Sequence, residues 1–314
     1  MHTAAKLGAF ALVAAGVFAS AYGVGRVVGP VDTATSAAPA SEHSGDGHAA
    51  EAPPAQPGGL LVADQGLTFK VLTADLAAGA PGDFAFQILG PDGKPVTAYR
   101  PTHDKLMHLI VARRDLSGFR HVHPELGPDG TWRVPLSFAE AGEYRAFADF
   151  LPETTGQAIT LGADVSVAGD YRPKPLPEAS ATANVDGYAV TLNGGLTAGK
   201  TSKLMLTVSR NGVPVTDLQP YLGAYGHLVA LRQGDLAYLH VHPEGAPGDG
   251  KTAPGPRIVF YAEVPSAGDY RLYLDFQHNG VVRTAEFTVH AVPPVRTAAP
   301  PPPAAPADGH GHSH

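Results

Sequence analysis

The stretch from Met107 to Glu125, MHLIVARRDLSGFRHVHPE, returns as Gly226 to Glu244, GHLVALRQGDLAYLHVHPE. In the first copy His121 and His123 follow His108 by 13 and 15 residues, and in the second His240 and His242 follow His227 by the same 13 and 15. A duplicated frame of this kind constrains the fold strongly, because both copies must fold the same way. His108–Ala112 and Phe119–His123 read as strands, and Asp115–Gly118 between them reads as a turn, with Gln233–Asp235 taking its place in the second copy. Side chains alternate along a strand, so His121 and His123 share a face, as do His240 and His242. Folding each hairpin back brings its first histidine opposite its last. Directly opposed Cβ atoms lie about 4.5–5.5 Å apart, which suits one ion with metal–nitrogen bonds of about 2.0–2.1 Å.

The repeat extends well beyond the histidines. An offset of 119 carries Phe69 onto Tyr188, Pro101 onto Pro220 and His108 onto His227. After a seven-residue insertion around Gly245–Gly255 the offset becomes 126, and AGEYRAFADF (141–150) falls on AGDYRLYLDF (267–276). Short strands recur through the first copy, broken by turns at Pro91–Gly93 and Pro128–Gly130, which is the pattern of a β-sandwich. The Ala-Gly-X-Tyr motif resembles the tyrosine corner of immunoglobulin-like sandwiches, and that resemblance implies a structural role for Tyr144 and Tyr270. The fold class is therefore all-β, with tandem immunoglobulin-like sandwiches at 60–168 and 182–291, joined by a linker at 169–181 carrying Pro173, Pro175 and Pro177.

Outside the repeats, Leu7–Gly25 is an uncharged run between Lys6 and Arg26, so residues 1–29 read as a signal peptide or a transmembrane signal anchor. Residues 30–59 read as a disordered tether, and 292–314 as a Pro/His-rich tail ending in His310, His312 and His314. The expected location is extracytoplasmic, held at the membrane by the N-terminal segment or secreted if it is cleaved.

Composition removes several classes of function. The chain has no cysteine, which excludes disulfides, thiolate metal sites and cysteine nucleophiles. A formal charge of −7 without any run of Lys or Arg gives no footprint for nucleic acid. No G-x-S-x-G or H-E-x-x-H string occurs, so the chain reads as a binding protein rather than an enzyme.

Alternation places Tyr270, Leu272, Leu274 and Phe276 in the core, and Tyr273 and Asp275 outside. Asp275, and Asp149 by analogy, then share the histidine face, where each can ligate an ion or orient an imidazole. Arg145 and Arg271, four residues earlier on the same face, are the competing partners. His103 has no counterpart, since Leu222 falls at its position, and Met107 reads as core. The strands of His108 and His227 are apolar on both faces, so something must cover their outer sides.

On MHLIVARRDLSGFRHVHP, AGEYRAFADF and GHLVALRQGDLAYLHVHP, the chain resembles secreted or membrane-anchored actinobacterial heavy-metal- or copper-binding proteins, in the style of YtkA-like and CopC-like β-sandwich domains. The resemblance implies an extracytoplasmic metal-binding role. The residues themselves lead to two His₃ sites, His108/His121/His123 with Asp149 and His227/His240/His242 with Asp275, each holding Cu²⁺ or Zn²⁺ for capture, buffering or delivery. The alternative is an envelope interaction module in which the histidine hairpins form a structural interface with a protein partner.

Overall fold

Alternation in the sequence becomes the two sides of a sheet. Phe84, Phe86 and Ile88 on one strand and Trp132, Val134 and Leu136 on the next all point into one core, while their neighbours face solvent. The computed structural model describes residues 56–239 and 241–294, and among these every regular element is a strand. The expected N-terminal helix, most of the tether, His240 and nearly all of the His-rich tail lie outside the described residues.

Each repeat forms two packed sheets. In the first, one sheet runs Ala63–Asp64, Leu67–Val71, Pro81–Leu89, Trp132–Ser137, Glu125–Leu126 in spatial order. The other runs Leu76–Ala77, Ile159–Ala168, Gly142–Pro152, Met107–Arg113, Arg120–Val122, with Tyr99–Arg100 added to Gly142–Pro152. The second repeat matches this arrangement. Thr182–Val185, Tyr188–Asn193, Thr201–Arg210, Arg257–Glu263 and Val241–Pro243 form one sheet, which also takes Val213–Pro214 on Thr201–Arg210. Tyr238–Leu239, His227–Arg232, Gly268–His278 and Val281–Ala291 form the other. Both tyrosine corners are closed: the Tyr144 hydroxyl donates to the Glu140 carbonyl at 2.8 Å, and the Tyr270 hydroxyl donates to the Ser266 carbonyl at 2.9 Å.

The strand Met107–Arg113 is buried along its whole length because both of its faces are covered. Met107, Leu109 and Val111 enter the first sandwich's core, whereas Ile110 and Ala112 join a separate apolar cluster. The strand His227–Arg232 divides in the same way, with Leu228 and Ala230 inward and Val229 and Leu231 outward. That third cluster is the contact between the sandwiches. Leu116, Phe119 and Phe147 of the first repeat meet Leu236, Tyr238 and Tyr273 of the second within it. Phe119 stacks on Tyr273 at 3.9 Å between ring centroids, and Tyr238 lies 5.7 Å from Phe147. The repeat carries Phe119 onto Tyr238 and Phe147 onto Tyr273, so the two copies face each other much as the subunits of a twofold dimer do. The linker runs along this contact, with Leu176 packed on the cluster and the Lys174 amide donating to Asp115 at 2.7 Å.

Candidate metal centre between the sandwiches

Register places the histidines. His108 pairs directly with Asp149 across the ladder, and His227 with Asp275. Direct opposition puts each pair on one face, and in both sandwiches that face is the one turned toward the other repeat. In the hairpin, Ile110 pairs with His121 and Leu109 with Val122, which sets His123 beside His108. The ring centroids of His108 and His123 are 5.0 Å apart and those of His121 and His123 are 4.9 Å apart. His227 reaches the same point from the second sandwich, 4.6 Å from His121 and stacked over His108 at 5.7 Å. Donor atoms of His108, His121 and His227 all lie within 4.8 Å of one another. Four imidazoles from two domains thus converge on one spot.

Hydrogen bonds fix where their protons sit. His108 Nε2 faces the Thr102 carbonyl at 2.9 Å, and a carbonyl only accepts, so Nε2 carries the hydrogen. His121 Nδ1 faces the Asp275 carboxylate at 2.8 Å and donates to it. With one proton on each ring, the remaining lone pairs, on His108 Nδ1 and His121 Nε2, point at each other across 3.1 Å. Two facing lone pairs repel unless a cation or an added proton comes between them. On His108 the added proton is disfavoured, because burial pulls its pKa down to about 4 despite the Thr102 carbonyl, with the His121 ring pushing the same way as burial. His123 is held lower still, at about 3, by burial and then by the two neighbouring imidazoles. Its Nε2 is buried without a hydrogen-bond partner, an omission that costs about 1–3 kcal/mol in a closed interior. A transition-metal ion would relieve the facing pair, since it would take lone pairs from two neutral rings whose other nitrogens are held by acceptors.

The carboxylates act around this centre in different ways. Asp275 accepts from His121 of the other sandwich and from Thr284 Oγ1 at 2.6 Å. Asp149 accepts from Thr160 Oγ1 at 3.1 Å and from the Tyr238 hydroxyl of the second sandwich at 3.4 Å. Burial, followed by Asp149, raises the Tyr238 pKa well above its usual value, so this phenol stays a donor. The competing arginines are engaged elsewhere, Arg145 with Asp164 and Arg271 with Glu286.

The expectation of two equivalent triplets needs correction. Residue 241 onward pairs with Arg257–Glu263 in the opposite sheet, where His242 sits exposed across from Tyr261. In the first repeat His123 stays against His108 before the chain changes sheets. Equal spacing keeps residues on one face only while the strand remains in one sheet. His240 lies outside the described residues. Lacking a counterpart, His103 was expected to matter to the first repeat alone, yet its ring lies against His108 and His227, one from each sandwich. Tyr221, which borders His123, carried no signal in the sequence. The chain itself showed two copies of one strand, each apolar on both faces and so covered on its outer side, but not that the two cover each other.

A family model described as a domain of unknown function, DUF8832, matches the chain twice, over residues 62–172 and 183–293. A search of the curated proteins finds no match. Among solved structures, the Escherichia coli adhesin FdeC is similar over 72% of this chain at 14% identity with a TM-score of 0.24, and this chain spans 64% of that adhesin. Invasin, a bacterial integrin-binding protein, is similar over 71% of this chain and 39% of its own, at 13% identity and a TM-score of 0.21. The D00-D0 domain of intimin is similar over 72% of this chain and 99% of its own, at 9% identity and a TM-score of 0.23.

Proposed function

We propose that this chain, which belongs to the DUF8832 family through both of its sandwiches, binds one divalent transition-metal ion between them and serves in extracytoplasmic metal capture, buffering or delivery. His108, His121 and His227 would hold the ion, with His123 beside them, and Asp275 and the Thr102 carbonyl would orient two of the rings. Zn²⁺ and Cu²⁺ are the ions that suit an all-imidazole set. The observation that carries this reading is the facing pair His108 Nδ1 and His121 Nε2, 3.1 Å apart, each ring's other nitrogen already committed to an acceptor. The extracytoplasmic setting rests on the apolar run Leu7–Gly25.

A second reading is favoured by a different observation. The histidine hairpins also carry the apolar cluster that joins the sandwiches, so they could serve as a structural interface in an envelope interaction module. An interface gains most from apolar and aromatic anchors, which that cluster supplies without any histidine.

Calorimetry separates the two. The full chain, with His310, His312 and His314 changed to Ser to silence the tail, should bind one equivalent of Zn²⁺ or Cu²⁺, and His121→Ala with His227→Ala should abolish the heat. No heat at micromolar protein would end the metal reading and leave the interface.

A further inference from the structure

Two turns meet at the edge of the histidine cluster. Thr102 and Lys105 exchange backbone hydrogen bonds around His103 and Asp104, and Tyr221 and Ala224 do the same around Leu222 and Gly223. All four central residues have positive φ: 48° and 63° in the first turn, 55° and 75° in the second. Left-handed backbone at both central positions is the pattern of a type I′ turn, which is usually filled by Asn, Asp or Gly. The turns belong to opposite sandwiches and touch, since a Cβ on Gly223 would lie 3.8 Å from Asp104 Oδ2.

The repeat places Leu222 opposite His103, and Leu222 is buried. At that position the first sandwich instead carries an imidazole, on a residue type the turn does not call for. Its ring centroid lies 5.9 Å from His108 and 5.7 Å from His227, edge-on to one histidine of each sandwich. His103 is half-buried, as His121, His123 and His227 are when taken as whole residues. But His108 is 1% exposed, the His121 side chain is 2% exposed, and ring nitrogens of His123 and His227 are buried, whereas the neighbours of His103 on its turn, Asp104 and Lys105, are exposed. The same turn is fastened to the centre, because the Thr102 carbonyl accepts from His108 Nε2 at 2.9 Å.

On the metal reading above, on which this rests, we propose that His103 is the transfer ligand of the site, taking the ion from solvent and passing it to the buried imidazoles. A hydrated divalent cation cannot move bare into a closed interior, because its desolvation is too costly. It must exchange waters for protein ligands one at a time. In the first step a water leaves the ion and the His103 imidazole lone pair takes its place. In the next, His227 or His108 binds, further waters depart to bulk, and finally His103 is displaced as His121 completes the set. No electron changes hands, and each bond formed replaces one broken. Release runs the same steps in reverse. His103 therefore sets the speed of loading and unloading while contributing little to the affinity of the filled site.

The test is stopped-flow uptake of Co²⁺, followed by its visible absorption, into the full chain with the tail histidines changed to Ser. His103→Leu installs the residue of the repeat, and His103→Asn keeps a residue the turn favours, so one variant remains usable if the other disturbs folding. Both should slow uptake and chelator-driven release at least tenfold, with the final spectrum unchanged and the Kd within about threefold. Unchanged rates would make His103 a turn residue only. A weakened Kd with normal uptake would make it a resident ligand, and either result overturns the proposal. If the unsubstituted protein takes up no Co²⁺, the metal reading itself fails, and that trace alone shows it.

Discussion

His121 of the first sandwich donates its Nδ1 hydrogen to Asp275 of the second across 2.8 Å, with both side chains at most 3% exposed. One contact thus joins the domains and fixes a ring tautomer. The carboxylate holds the hydrogen on Nδ1 and leaves the Nε2 lone pair facing His108. Asp275→Asn removes the charge while keeping the shape. Losing such a ring-orienting partner typically costs about 10–100-fold in metal affinity, so the Zn²⁺ Kd measured against a chromophoric chelator should weaken by that much. An unchanged Kd would mean that the tautomer of His121 does not matter to the ion.

Metal should also stabilise the folded chain, because a ligand bound only by the native state adds stability by mass action, about 2.7 kcal/mol at 100 times its Kd. With the tail histidines silenced, scanning calorimetry with Zn²⁺ should show a higher Tm than with EDTA. The shift should vanish in His227→Ala, which takes one donor from the second sandwich and leaves the first hairpin untouched. A shift of the same size in that variant would place the ion elsewhere.

The metal-free protein should lose stability in mild acid. An unfolded histidine titrates near 6.5, whereas burial holds His108 at about 4 and His123 at about 3 in the folded chain. Between these values the unfolded chain carries protons that the folded chain does not. Stability is therefore full above about pH 6.5 and falls as the pH drops toward 4. Melting in EDTA from pH 7.5 to 4 should show this slope, and His108→Gln should flatten it. Histidine ligation with ordinary pKa values would fade near pH 6.5; burial moves proton competition at His108 and His123 below that point.

Phe119 anchors the contact between the sandwiches through its stack on Tyr273. Truncating a buried Phe to Ala costs about 3–5 kcal/mol, and here the loss falls on the interface. Trp132 is the chain's single tryptophan and lies in the first sandwich's core, so its fluorescence reports that domain alone. In urea, Phe119→Ala should separate the fluorescence transition from the one seen by far-UV circular dichroism. Coincident transitions at the unsubstituted midpoint would show that the stack does not couple the domains.

Removing one corner hydroxyl, as in Tyr144→Phe or Tyr270→Phe, takes away the hydrogen bond to a carbonyl four residues back and, for Tyr270, also the 3.3 Å contact with Ser266 Oγ. Each should lower stability by about 0.5–1.5 kcal/mol and leave metal affinity unchanged, as urea melts and calorimetry on the same samples would show.

Most of the fold was legible in the chain because its causes are local. Alternation named the inward residues of the Tyr270–Phe276 strand, and repetition showed that the second domain copies the first. The doubly apolar strands of His108 and His227 even showed that their outer faces are covered. Covering by each other was not legible, because pairing between two faces depends on the shape of both assembled sandwiches and not on either strand. The candidate site followed the same division. Spacing within one hairpin put His108, His121 and His123 together, since a two-stranded ladder turns sequence distance into spatial distance. Sequence alone therefore determined the strands, their faces and one histidine group. Tertiary structure decided that His227 and Asp275 complete that group from the other domain, and that His242 leaves it, because sheet choice at a crossing strand and contact between domains are set by packing across long stretches of chain.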